Sequence, residues 1–297
     1  MQDLTMARDG RTLRAHISGH PSGRAVFLLH GTPGSRIGPK PRPSVLYRLG
    51  VLLICYDRPG YGGSDRHPGR SVADAANDVE AIADHLRLDR FAVIGRSGGG
   101  PHALAAAALL PERVTRVVVL VGVAPADAHD LDWFHGMTPT NVDNYATADV
   151  DGLRLIERLR LHAERARRDP ESLVDVLRSQ MTDPDLRVVD DIVIRRLLAE
   201  TYAEALLSGP YGWIDDVLAL RSHWGFQPEN VKPPVLLWHG ADDNFSPASH
   251  TRWLASRIPG AEAQVQARMA HFGAVQVLPE MLAWLVGDDP GSRQWAA

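Results

Sequence analysis

Five short apolar runs punctuate the chain, at residues 25–29, 51–55, 91–94, 117–121 and 235–238. Each is continuous rather than alternating, the pattern of strands covered on both faces by helices. Amphipathic stretches lie between them. Over residues 71–86, Val72, Ala75, Ala76, Val79, Ile82, Ala83 and Leu86 recur at helical spacing, with Ser71 placed to cap. Residues 101–110 predict a second helix, with Pro101 tolerated in its first turn. Residues 5–18, centred on Asp9-Gly10, predict an antiparallel hairpin at the sheet edge, and residues 263–267 a final strand. The alternation predicts an α/β fold built on a mainly parallel, doubly wound sheet.

From residue 125 to 210 the alternation stops. Only helical pattern is found there, over 153–167, 171–181 and 186–207. Bulky side chains gather at its start (Trp133, Phe134, Met137, Tyr145) and just past its end (Tyr211, Trp213). Aromatics mostly pack interiors, but as a group flanking an insertion these six predict a helical lid over an apolar, substrate-binding cleft. The predicted organisation is a core of residues 1–125 and 211–297 with a cap of 126–210. Residues 288–297 read as a polar tail that frays.

Composition narrows the function classes. The 297 residues carry 32 basic and 36 acidic side chains, a formal charge of −4, which argues against a partner that tracks a phosphate backbone. Cys55 is the only cysteine, so neither an intrachain disulfide nor a cysteine-based metal cluster is available. No apolar run approaches a membrane span, and residues 1–10 show no secretory signal, so the expectation is a cytoplasmic protein.

The chemistry concentrates at Gly95-Arg96-Ser97-Gly98-Gly99. The Gly-x-Ser-x-Gly pattern is weak alone, but here it follows the strand at 91–94 directly and runs into a helix. A serine in that strand-to-helix turn is lifted clear of the sheet, with a helix N-terminus beside it. Its hydroxyl needs a positioned base, and the base a carboxylate. After the run at 235–238 stand Asp242 and Asp243; after the strand at 263–267 stands His271. The order Ser, Asp, His and the C-terminal edge of an open sheet both suit such a triad. Arg96 is expected to pair with a scaffold carboxylate, or else to meet an anionic substrate group. His16 and His20 do not share a helical face, and no metal-binding or phosphate-loop motif occurs, so no metal or cofactor is expected.

These residues resemble the α/β-hydrolase fold family over almost the whole length. The resemblance rests on His30-Gly31-Thr32-Pro33-Gly34, on Asp57-Arg58-Pro59-Gly60-Tyr61-Gly62-Gly63-Ser64, on the Ser97 turn, on Gly240-x-x-Asp243 and on His271. It implies Ser97, Asp243 and His271 as the triad and the amides of Thr32 and Gly98 as the oxyanion hole. Asp57, Arg58 and Ser64 are implied as scaffold, and residues 126–210 as the family's inserted lid. The implied activity is hydrolysis of a carboxylic ester of a small, largely apolar substrate through an acyl-enzyme. A proline iminopeptidase-like aminopeptidase is the first rival, with Glu157, Glu164, Asp175 or Glu204 to hold a free amino terminus. A lyase or cyclase using the same triad is the second, and a non-catalytic ligand-binding protein the most distant. The sequence carries no signal of oligomeric state.

Overall fold

A computed structural model describes residues 2–287; the expected polar tail at 288–297 lies outside them. Eight strands form one sheet: β1 (Gln2–Arg8), β2 (Arg11–Gly19), β3 (Arg24–Leu29), β4 (Val51–Tyr56), β5 (Phe91–Arg96), β6 (Val114–Leu120), β7 (Val235–Gly240) and β8 (Glu262–Gln266). Their spatial order is β1-β2-β4-β3-β5-β6-β7-β8. The β1–β2 hairpin turns at Asp9-Gly10, both at positive φ, and β2 joins β4 antiparallel; every later pair is parallel.

The described helices are α1 (Pro43–Arg48), α2 (Asp74–His85), α3 (Gly99–Leu109), α4 (Pro139–Val150), α5 (Gly152–Arg168), α6 (Glu171–Arg178), α7 (Asp183–Val189), α8 (Ile192–Ala205), α9 (Tyr211–Arg221), α10 (Ala248–Arg257) and α11 (Gly273–Val286). The continuous apolar runs are explained by two cores, one on each face of the sheet. Phe27, Leu29, Ile54, Val93, Val117 and Leu237 point to the side of α2 and α3, where the larger cluster lies. Val26, Leu28, Leu53, Ile94, Val118 and Leu236 point to the other, against α11 and Leu46 of α1. Alternate side chains of one strand thus serve opposite layers, and neither set can be polar.

Three local expectations change. Ser71 does not cap α2 by accepting: its amide and hydroxyl both donate to the Asp74 carboxylate, at 2.7 and 2.9 Å, and the helix begins at Asp74. The single helix expected over 186–207 is two, because Asp191 accepts from the amides of Val193 and Ile194 and so starts α8 anew. Helix α4 was not expected; Thr138 caps it through the amide of Asn141, with Pro139 in its first turn.

Candidate active site

Thr32, Ser97 with Gly98, Asp243 and His271 follow the C-terminal ends of β3, β5, β7 and β8, which lie in one half of the sheet with β6 between β5 and β7. Ser97 follows β5 with φ +53°, a left-handed conformation unusual for a residue with a side chain. Glycines make that turn possible. A Cβ at Gly95 would stand 2.2 Å from the carbonyl oxygen of Gly99, and one at Gly99 would stand 2.3 Å from that of Leu29. Helix α3 can therefore begin almost in contact with β3. The Ser97 amide donates to the Leu120 carbonyl at 2.8 Å, which ties the turn to β6.

His271 and Asp243 meet. His271 Nδ1 lies 2.8 Å from Asp243 Oδ2, so Nδ1 carries the proton that donates to the carboxylate and Nε2 is left as an acceptor. The other carboxylate oxygen accepts from the amides of Phe245 (2.8 Å) and Ser246 (3.1 Å), and the ring of His239 stands 3.2 Å from Oδ2. Burial alone would raise the Asp243 pKa, but these partners hold it well below the ordinary aspartate range. Asp242, the other aspartate considered, is solvent-exposed.

Thr32 and Gly98 are also side by side: a Cβ at Gly98 would stand 2.3 Å from Thr32 Oγ1. The Thr32 hydroxyl donates to Asp216 Oδ2 at 2.5 Å and accepts from Arg58 Nη2 at 3.2 Å. Asp216 is a residue the sequence reading missed. Wholly buried on α9, it collects Arg58, Arg70 and the Tyr61 hydroxyl as well. Those two guanidinium groups keep its carboxyl ionised against the cost of burial. Asp57 accepts from the Arg36 amide (2.7 Å), the Arg36 guanidinium (2.6 Å) and the Gly63 amide (3.2 Å), and the Ser64 hydroxyl accepts from the Arg14 amide at 2.9 Å. These two residues and Arg58 hold loops.

Ser97 and His271 open on one cavity of about 70 Å³, lined also by Gly31, Thr32, Arg96, Tyr145, Tyr202 and Phe245. A second hollow of about 50 Å³ shares Thr32, Asn141, Tyr145 and Leu177 with it and reaches Trp213. Of the six bulky residues expected to meet substrate, only Tyr145 and Trp213 line either space. Trp133 is instead packed among Phe134, Tyr145 and His250 with its indole N–H on the Ala124 carbonyl. Arg221 stacks on Trp133 and Phe134, Met137 is buried away from the cavity, and Tyr211 lies exposed beneath the Arg66 guanidinium.

The expected scaffold partner of Arg96 does not exist: among the described residues this buried side chain makes no ion pair, and its Nη1 has no acceptor. A second unforeseen residue is Asp185 on α7, whose carboxylate accepts from the amides of His271 (3.1 Å) and Phe272 (2.7 Å). Burial raises its pKa to about 6. Among the described residues no three His, Cys, Asp or Glu side chains gather as a metal site, and no helix is long and apolar enough to cross a membrane.

Comparison with known proteins agrees with this fold. A family model for the alpha/beta hydrolase fold matches residues 24–274. The chain is 26% identical over 284 residues to a 2-hydroxy-6-oxononadienedioate/2-hydroxy-6-oxononatrienedioate hydrolase of Burkholderia vietnamiensis, covering 91% of this chain and 88% of the relative. It is 33% identical to a proline iminopeptidase of Arabidopsis thaliana, but over 133 residues, 43% of this chain and 34% of that one. Among solved structures, a hydrolase from Pseudomonas aeruginosa PA01 superposes with a TM-score of 0.71 at 22% identity, covering 96% of both chains. Sequence match and shared architecture, taken together over nearly the full length, make the chain a member of the α/β-hydrolase fold family.

Proposed function

We propose that the protein is a serine hydrolase that cleaves carboxylic esters of small molecules, with Ser97 as nucleophile, His271 as base and Asp243 as the carboxylate that orients it. The observation that carries this reading is the 2.8 Å contact between His271 Nδ1 and Asp243 Oδ2 beside a cavity that Ser97 also lines. His271 Nε2 takes the Ser97 proton as the hydroxyl oxygen attacks the ester carbonyl. The oxyanion is held by the amides of Thr32 and Gly98, each such donor being worth about 10²–10³ in rate. His271 then protonates the leaving alcohol, and water discharges the acyl-enzyme by the same route in reverse.

Helices α4–α8 act in this reading as the cap, residues 126–210 over a core of 1–125 and 211–297. Tyr145 of α4, Leu177 of α6 and Tyr202 of α8 supply its share of the cavity wall. The aminopeptidase alternative is not favoured. Glu164, Asp175 and Glu204 are taken by Arg160, Arg195 and Arg36, Glu157 faces solvent, and no Asp or Glu lines either hollow to receive an ammonium group.

The test is intact-mass analysis after treatment with a fluorophosphonate. One adduct on the wild type and none on Ser97→Ala is expected; an unlabelled, folded wild type would remove Ser97 as an activated nucleophile.

A further inference from the structure

Arg96 ends β5 immediately before Ser97 and is 8% exposed. It differs from its buried counterparts. Arg58 and Arg70 share Asp216, and Arg36 bridges Asp57 and Glu204. Among the described residues Arg96 has neither an ion pair nor a hydrogen bond through its side chain, and its Nη1 is completely buried without an acceptor. Arginine keeps its charge at any working pH. A desolvated cation without a counter-ion is costly, so natural proteins seldom retain one without use.

The unmatched charge is at the wall of the cavity that holds Ser97 and His271, and no Asp or Glu lines that cavity. Its Nη2 stands 3.7 Å from the point where a side chain at Gly31 would begin, one residue before Thr32. The charge therefore sits beside the loop assigned to the oxyanion, not at an outer mouth. Facing it from α8 is Tyr202, whose phenol burial pushes up to about 12, so it is a neutral hydroxyl there.

From this we infer that Arg96 binds a carboxylate of the substrate, carried close to the scissile carbonyl, so that the preferred esters are half-esters of short dicarboxylic acids and similar acid-bearing molecules. The inference refines the serine-hydrolase reading and takes from it the position of the scissile carbonyl. A planar fork of N–H donors matches the two oxygens of a carboxylate. A neutral apolar ester would leave the charge unpaired in the closed complex.

The experiment compares monomethyl succinate with methyl succinamate, which differ only by carboxylate against amide. Binding is measured by calorimetry on Ser97→Ala and on Ser97→Ala/Arg96→Gln, and kcat/KM on the wild type. Ser97→Ala is expected to bind the acid at least about tenfold tighter than the amide, the scale of a charge-assisted hydrogen bond. The double variant is expected to lose that preference, and wild-type kcat/KM to show it. Equal binding of the two esters, undetectable binding of both, or a preference that survives loss of the arginine overturns the inference. If the double variant does not fold, the ratio on Ser97→Ala alone decides, with equality as the overturning result. The two readings fail separately: selective binding without fluorophosphonate labelling removes the hydrolase and leaves the carboxylate site, whereas labelling and turnover without selectivity do the reverse.

Discussion

Ser97 holds a positive φ that its own side chain disfavours by about 1–2 kcal/mol. Replacing it tests that strain apart from chemistry. Ser97→Gly is expected to be more stable than Ser97→Ala by about 1 kcal/mol in urea denaturation, since both lose the hydroxyl but only glycine relaxes the backbone. The flanking glycines behave oppositely. Gly99→Ala sets a methyl 2.3 Å from the Leu29 carbonyl oxygen, a backbone atom that cannot swing aside. A loss of about 3 kcal/mol or more is expected, read as an early thermal transition. The elbow was legible in the sequence because it depends on such steric demands within five consecutive residues. The solitude of Arg96 was not, since it depends on what the rest of the chain fails to bring near.

Helix α9 illustrates how an element can be missed along with its main residue. Asp215 and Asp216 stand in a run otherwise made of Trp213, Ile214, Val217, Leu218, Ala219 and Leu220. That interruption on the apolar side of a helix was the available signal for a buried acid. Its partners lie 146 to 184 residues away in the chain, which no local pattern can reveal. Asp216→Asn is expected to cost about 3–5 kcal/mol by equilibrium unfolding, because Arg58 and Arg70 would be left as buried cations. The sheet was easier to foresee. Each of its inner strands is a compact apolar block, and strand ends moved by no more than a few residues once neighbours were present. In the helical segment, amphipathic pattern located α5 and α6. It could not show that one helix stops at Val189 and Asp191 starts the next, since a capping aspartate and a surface aspartate look alike.

For the molecule as a whole, two buried carboxylates respond to pH in opposite senses. Asp243 has a folded pKa below its ordinary value of 3.8, so its contribution to stability is present above that value and is lost as pH falls below it. Asp185 is raised to about 6 from 3.8. Its contribution is whole below its ordinary value and is lost as pH rises through the folded one. Asp185→Asn removes that second titration. Between about pH 4 and pH 7 the Tm difference between wild type and this variant is expected to shift in favour of the variant as pH rises. A constant difference would show that the carboxylate does not titrate in that window.

The Asp185 contact also bears on recombination among relatives. A chimera that exchanged residues 126–210 for a foreign segment would keep Asp216, and with it the anchor of the Thr32 loop. It would discard Asp185, leaving the amides of His271 and Phe272 without their acceptor, and Glu204, leaving Arg36 with Asp57 alone. A donor segment that supplied the right pocket shape but no acid at the place of residue 185 would loosen the histidine loop. Grafting a new specificity therefore means transferring that carboxylate together with the wall of the pocket.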